Sequence, residues 1–107
     1  MKSLRKNSDF QTVYKKRISR GNRYFVMYVI KNTESENRIG ISVSKKVGNS
    51  VIRHKVKRRV KEVLRLHEKV SNSSLDIVIV ARKGAGEIDY SQTESSILDL
   101  LKQHKIF

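Results

Sequence analysis

The chain has no cysteine and no proline. The first absence excludes disulfides and thiolate metal sites, and it leaves the redox compartment open. The second means that no proline interrupts a helix or a strand. Long apolar runs are missing too. The longest, such as Ile77-Val-Ile-Val-Ala81, fall far short of the ~20 residues that a membrane-spanning helix needs. The opening residues, MKSLRKNSDF, carry charge but have neither the apolar core nor the small-residue cleavage site of a signal peptide. These absences lead to the expectation of a cytoplasmic protein with no membrane partner. With 107 residues, the chain is expected to form one domain, residues 1–107, around a single modest core.

What is present in excess is positive charge, +14 overall, and it is unevenly spread. Residues 1–23 hold eight basic side chains against Asp9, whereas residues 75–107 hold four against five acids. The densest part is Ser44 to Lys61, with eight Lys or Arg and no acid. Like charges this close repel by up to about 1 kcal/mol per nearby pair in a solvent-like dielectric, so folding alone does not favour them. A polyanion does, because each phosphate contact releases counterions. The stretch therefore reads as an RNA-facing surface, with the solvated helix face as the plain alternative.

Periodicity supplies the elements. Asn7, Ser8 and Asp9 offer helix caps, with Ser8 and Gln11 at capping-box spacing, and a helix is expected from about Asp9 to Lys16. Phe10, Val13 and Tyr14 fall on one face of it. Gly21-Asn22 reads as a turn with room for a short strand before it, and Tyr24 to Ile30 reads as a strand apolar or aromatic on both faces. After a polar loop, Arg38 to Ser44 alternates Ile39, Ile41 and Val43 with the small Gly40, Ser42 and Ser44, so its small side admits a close neighbour. Asn49 or Ser50 caps a central helix running to about Lys69. Its apolar face is Ile52, Val56, Val60, Val63, Leu64 and Val70. His54, Lys57, Arg58, Lys61 and Arg65 gather opposite, with Arg53 and Arg59 at the flanks. A loop at Ser71 to Ser74, a strand over Leu75 to Arg82, a turn at Gly84 to Gly86 and a last helix from about Ser91 to Lys105 complete the order. That order defines an α+β sandwich, with helices on a sheet whose strand order stays open.

No catalytic frame stands out. Mg²⁺ takes oxygen ligands, but the acids before residue 75 (Asp9, Glu34, Glu36, Glu62 and Glu68) form no recognisable ligand pair. His54, His67 and His104 are far apart in sequence and sit in no metal-binding frame. His54, inside the basic cluster, is the sharpest candidate catalyst, against the plainer reading of a phosphate-facing or solvated histidine. Phe10, Tyr14, Tyr24 and Tyr28 either fill the core or stack on unpaired bases. Taken alone, the residues describe a binder.

One series is more specific. Ile39-Gly-Ile-Ser-Val-Ser-Lys-Lys-Val-Gly-Asn-Ser-Val-Ile-Arg53, continuing into His54-Lys-Val-Lys-Arg58, resembles the signature of the protein subunit of bacterial ribonuclease P. Asn7 to Lys16 resembles that family's first helix, Asn22 to Tyr28 its following strand, and Asp76 to Arg82 its later strand. The resemblance covers nearly the whole chain. It implies a helix, three strands, a helix, a strand and a helix around a four-stranded sheet, the first strand being short and near Ile18 to Arg20. It also implies a left-handed crossover through the central helix, an exception to the usual rule.

The resemblance further implies a division of labour. The enzyme removes the 5′ leader of precursor tRNA; its RNA subunit requires Mg²⁺ and performs catalysis, and the protein binds no cofactor tightly and contributes no catalytic residue. The implied partners are the catalytic RNA and precursor tRNA, with no obligate protein partner evident. Residues implied to bind the RNA subunit are Lys45, Lys46, Asn49, Arg53, His54, Lys55, Lys57, Arg58 and Lys61. The implied cleft for the single-stranded leader is Phe10, Tyr14 and Tyr28. The family's Arg-Asn-Arg motif falls on Arg53, His54 and Lys55, where only Arg53 is retained in kind and Lys55 lacks the guanidinium fork. Two other readings remain at this level: a structural RNA-binding protein, and a metal-free ribonuclease centred on His54.

Overall fold

The computed structural model describes residues 2–67 and 74–106. Its elements run β1 (Lys2–Ser3), α1 (Asn7–Lys15), β2 (Ser19–Gly21), β3 (Phe25–Lys31), β4 (Arg38–Ser42), α2 (Ser50–Leu66), β5 (Leu75–Ala81), a 3₁₀ turn (Lys83–Glu87) and α3 (Tyr90–Gln103). The sheet has five strands in the order β1-β4-β5-β3-β2. This corrects the expected four: β1 adds a parallel edge, with Lys2 opposite Arg38 and Ser3 opposite Ile39. A two-residue strand shows no alternation, which is why its pattern is invisible.

β5 is central and buried nearly throughout. It pairs antiparallel with β3 and parallel with β4, the latter connection passing through α2. The polar loop between β3 and β4 therefore does not join paired strands. The run of Ile and Val in β5 follows from this position, because both of its faces are covered.

One face carries the main core. Phe25, Met27, Val29, Ile39, Ile77 and Ile79 meet Val56, Val60, Val63 and Leu64 of α2 and Ile97, Leu100 and Leu101 of α3. Each large side chain fully buried there is worth roughly 1.5–3 kcal/mol. On the other face, Leu4, Val13 and Val78 are buried, with Phe10, Tyr14, Tyr28, Ile30 and Val80 packed around them. Arg38 locks one end of the sheet by donating to buried Asp76 at 2.8 and 2.6 Å, and Asn32 adds a 2.7 Å hydrogen bond to the same carboxylate.

The expected cap of α1 is displaced. Lys6 holds the N-cap position without a side-chain hydrogen bond, and the helix starts at Asn7. Asn49 caps α2 as expected, accepting from the Ile52 N–H at 3.0 Å. α2 ends at Leu66, with His67 at the C-cap, short of the expected Lys69. The expected contributions of Glu68, Lys69, Val70 and Ser71 to Ser73 lie outside the described residues. The turn near Gly84 is the 3₁₀ segment, and α3 begins at Tyr90 with a reciprocal capping box between Asp89 and Gln92.

Candidate RNA interface

α2 sorts its residues by side. Its apolar stripe faces the core, while His54, Lys55, Lys57, Arg58 and Lys61 are exposed. Arg53 and Arg59 lie half-buried at the flanks, as a 100° spacing requires. Arg65 is engaged, since Glu62 accepts from it at 3.1 and 2.6 Å. Lys45 and Lys46 are exposed in the turn before the helix. Asn49 has its side-chain oxygen committed to the cap, leaving the amide nitrogen to face a ligand.

Arg53, His54 and Lys57 share a pocket of about 170 Å³ with Val43 and Ser50. The Nε of Arg53 is shielded from water and has no hydrogen-bond partner. An unsatisfied buried donor costs free energy in the free protein, which an incoming acceptor can return.

The aromatic residues converge on the opposite face of the sheet. Tyr14 meets Tyr28 edge-on, with ring centroids 4.9 Å apart and planes at 75°, and Phe10 lies 6.3 Å from Tyr14. All three are half-buried, so they pack against Leu4, Val13 and Val78 while keeping part of each ring open. Tyr24 is elsewhere, packed against the main core with the Arg23 guanidinium 5.5 Å from its ring centroid. Gly40 provides the floor beneath Phe10: a Cβ there would lie 2.5 Å from the Phe10 Cζ. Burial and the nearby Tyr28 push the Tyr14 phenol up, against a smaller opposing hydrogen bond with Ser42, so it remains a protonated donor at neutral pH.

Val43, just after β4, packs against the main core and lines the pocket of Arg53, His54 and Lys57. Val43 and Ser50 line this pocket without a local signal as site residues, although both lie within the Ile39 to Arg53 series that carries the resemblance. The structure keeps Phe10, Tyr14 and Tyr28 together, and the α2 cations together, as the sequence expected. Among the described residues no three His, Asp or Glu side chains cluster as metal ligands, and no helix is long and apolar enough to cross a membrane.

A helix-and-sheet protein with a basic helix face on one side and a half-open aromatic cleft on the other carries two features suited to an unpaired polyanion. Comparison with known proteins makes the class particular. The family model Ribonuclease P matches residues 1–105. The ribonuclease P protein component of Lachnoclostridium phytofermentans is 54% identical over 104 residues, covering 97% of this chain and 90% of the relative. The solved ribonuclease P protein of Staphylococcus aureus superposes with a TM-score of 0.91 at 41% identity, over 100% of this chain and 98% of that one. That of Thermotoga maritima gives 0.85 at 34% identity, over 96% and 97%. The chain belongs to the ribonuclease P protein family, the accessory subunit of an RNA-based endoribonuclease that processes the 5′ end of tRNA.

Proposed function

We propose that the chain binds the catalytic RNA of ribonuclease P through α2 and the turn before it, and holds the single-stranded 5′ leader of precursor tRNA in the aromatic cleft. Lys45, Lys46, Arg53, Lys55, Lys57, Arg58 and Lys61 face RNA phosphates. His54 and Asn49 supply hydrogen bonds, and Phe10, Tyr14 and Tyr28 present ring faces to leader bases. The observations that support the reading are the exposed cations along α2 and, across the sheet, the three half-buried rings gathered at Tyr14. In this reading Mg²⁺ is held by the RNA, the RNA performs the hydrolysis in the cytoplasm, and the protein raises affinity for substrate and metal by neutralising phosphate repulsion.

The test is cleavage of a 5′-extended precursor tRNA at low Mg²⁺, with the cognate RNA subunit in the presence and absence of the protein. Stimulated cleavage at the mature 5′ end, absent with protein alone, is the expected result. No stimulation from two folded components would overturn the reading. Cutting by the protein alone in EDTA, lost in His54→Ala, would instead favour the metal-free ribonuclease.

A further inference from the structure

Five cations, Lys15, Lys16, Arg17, Arg20 and Arg23, lie within nine residues that hold no acid, and none of them belongs to the RNA contacts proposed above. They surround β2, which stands last in the sheet order and so has a paired neighbour on one side only. Every residue from Lys15 to Gly21 is exposed. Ile18, just before the strand, is 54% exposed, one of three large apolar side chains so placed among the described residues.

The register decides what the free side of β2 offers. Val29 donates to the Ile18 carbonyl at 3.2 Å and Asn22 donates to the Phe25 carbonyl at 2.9 Å, with Arg20 opposite Met27 between them. In an antiparallel pair such hydrogen-bonded positions alternate with positions whose amides face the other way. The N–H and C=O groups of Ser19 and Gly21 therefore point away from β3, out of the sheet. This edge is also held in shape from behind. The Asn22 side-chain oxygen accepts from the Tyr24 and Phe25 N–H groups at 3.1 and 3.0 Å, and its amide donates to the Ser96 carbonyl of α3 at 2.9 Å. With the turn after β2 tied to α3, an arriving strand has little of the protein left to order.

We infer that β2 is a docking edge for an extended acidic segment of another protein, which adds to the sheet as a sixth strand. Its backbone pairs with Ser19 and Gly21, its carboxylates meet Arg17, Arg20 and Arg23, and an apolar side chain covers Ile18. Charge selects this occupant. A second copy of the chain would set the same cations opposite one another and be repelled, and neutral or basic strands are turned away by the charged edge. A nucleic acid satisfies the cations but brings no alternating amides to match those of Ser19 and Gly21.

The experiment titrates the full chain with a blocked heptapeptide alternating Glu and Val, and follows backbone amide shifts and hydrogen exchange. Shifts centred on Ser19 and Gly21, with slowed exchange of both N–H groups, are expected. The same peptide methylated at alternate backbone nitrogens keeps its charge but loses its donors, and should bind about tenfold more weakly. Ser19→Pro removes one outward N–H at an edge position that tolerates proline, so it should melt close to wild type yet bind the peptide about fivefold more weakly. Arg20→Gln should bind about threefold more weakly, a difference that fades at high salt. Equal binding of the methylated peptide, or shifts confined to Lys45 to Lys61, would overturn the inference. Concentration-dependent shifts at Ser19 and Gly21 without peptide would give the edge to a second copy instead. A single-stranded RNA oligonucleotide that slows exchange at these two amides as strongly as the peptide would give it to RNA.

Discussion

Gly40 decides how closely α1 approaches the sheet. Gly40→Ala must displace Phe10, because the added methyl would sit within 2.7 Å of two ring atoms. Such overpacking typically costs about 1–3 kcal/mol, and a lowered melting temperature would register it. Since Phe10 is a wall of the cleft, precursor tRNA binding should weaken with it while mature tRNA binding holds. Phe10→Ala and Tyr28→Ala should do the same, by roughly 1–3 kcal/mol for each stacked base lost. Equal losses on both RNAs would take the leader out of the cleft. His104 tests a different residue-scale effect. Its Nε2 lies 2.8 Å from the Met27 carbonyl, so it donates in the neutral form. Burial, helped by Arg20 and opposed by the Met27 hydrogen bond, holds its pKa below the usual histidine value. The unfolded chain therefore takes up the proton first, and stability present above the unfolded pKa falls as pH drops through it towards the folded value. Denaturant titrations at descending pH should show a decline that is smaller in His104→Gln; an identical decline would exclude His104 as its source.

At the scale of elements, α2 was the most legible part of the chain. Asn49 is a good cap, and a 3.6-residue period separates Val56, Val60, Val63 and Leu64 from the cations. Asn49→Ala should cost about 1 kcal/mol of stability, measurable by denaturant unfolding, as the Ile52 N–H loses its acceptor. No change would mean that solvent serves that N–H equally well. α1 starts two residues before the expected Asp9, because the capping candidates Asn7, Ser8 and Asp9 all lie inside the helix and none closes its end. Asp89 and Gln92 form the capping box that local spacing does encode, and it went unused. The cleft was half legible. Phe10 and Tyr14 share a helix face by spacing, whereas their meeting with Tyr28 depends on sheet packing that no local pattern contains. The strand order was not legible either, since alternation says which face a residue takes and nothing about which strand lies beside it.

For the whole molecule, positive charge is concentrated before residue 75 rather than spread evenly. Neutralising Lys57 or Lys61 should lower the magnitude of the salt slope of RNA binding by nearly one unit, if each meets one phosphate. Lys102→Gln, on the other helix, should leave the slope unchanged; a fall of the same size there would show that overall charge alone is being read. The central place of β5 has a consequence in time. β3 and β4 are made first but do not pair with each other, and each finds its main hydrogen-bonding partner only in residues 75–81. A chain still in synthesis therefore carries its first two-thirds without a closed sheet, exposing its cations and apolar strands together until β5 emerges. A version ending at Ser74 should remain unfolded, with no cooperative transition in a denaturant titration.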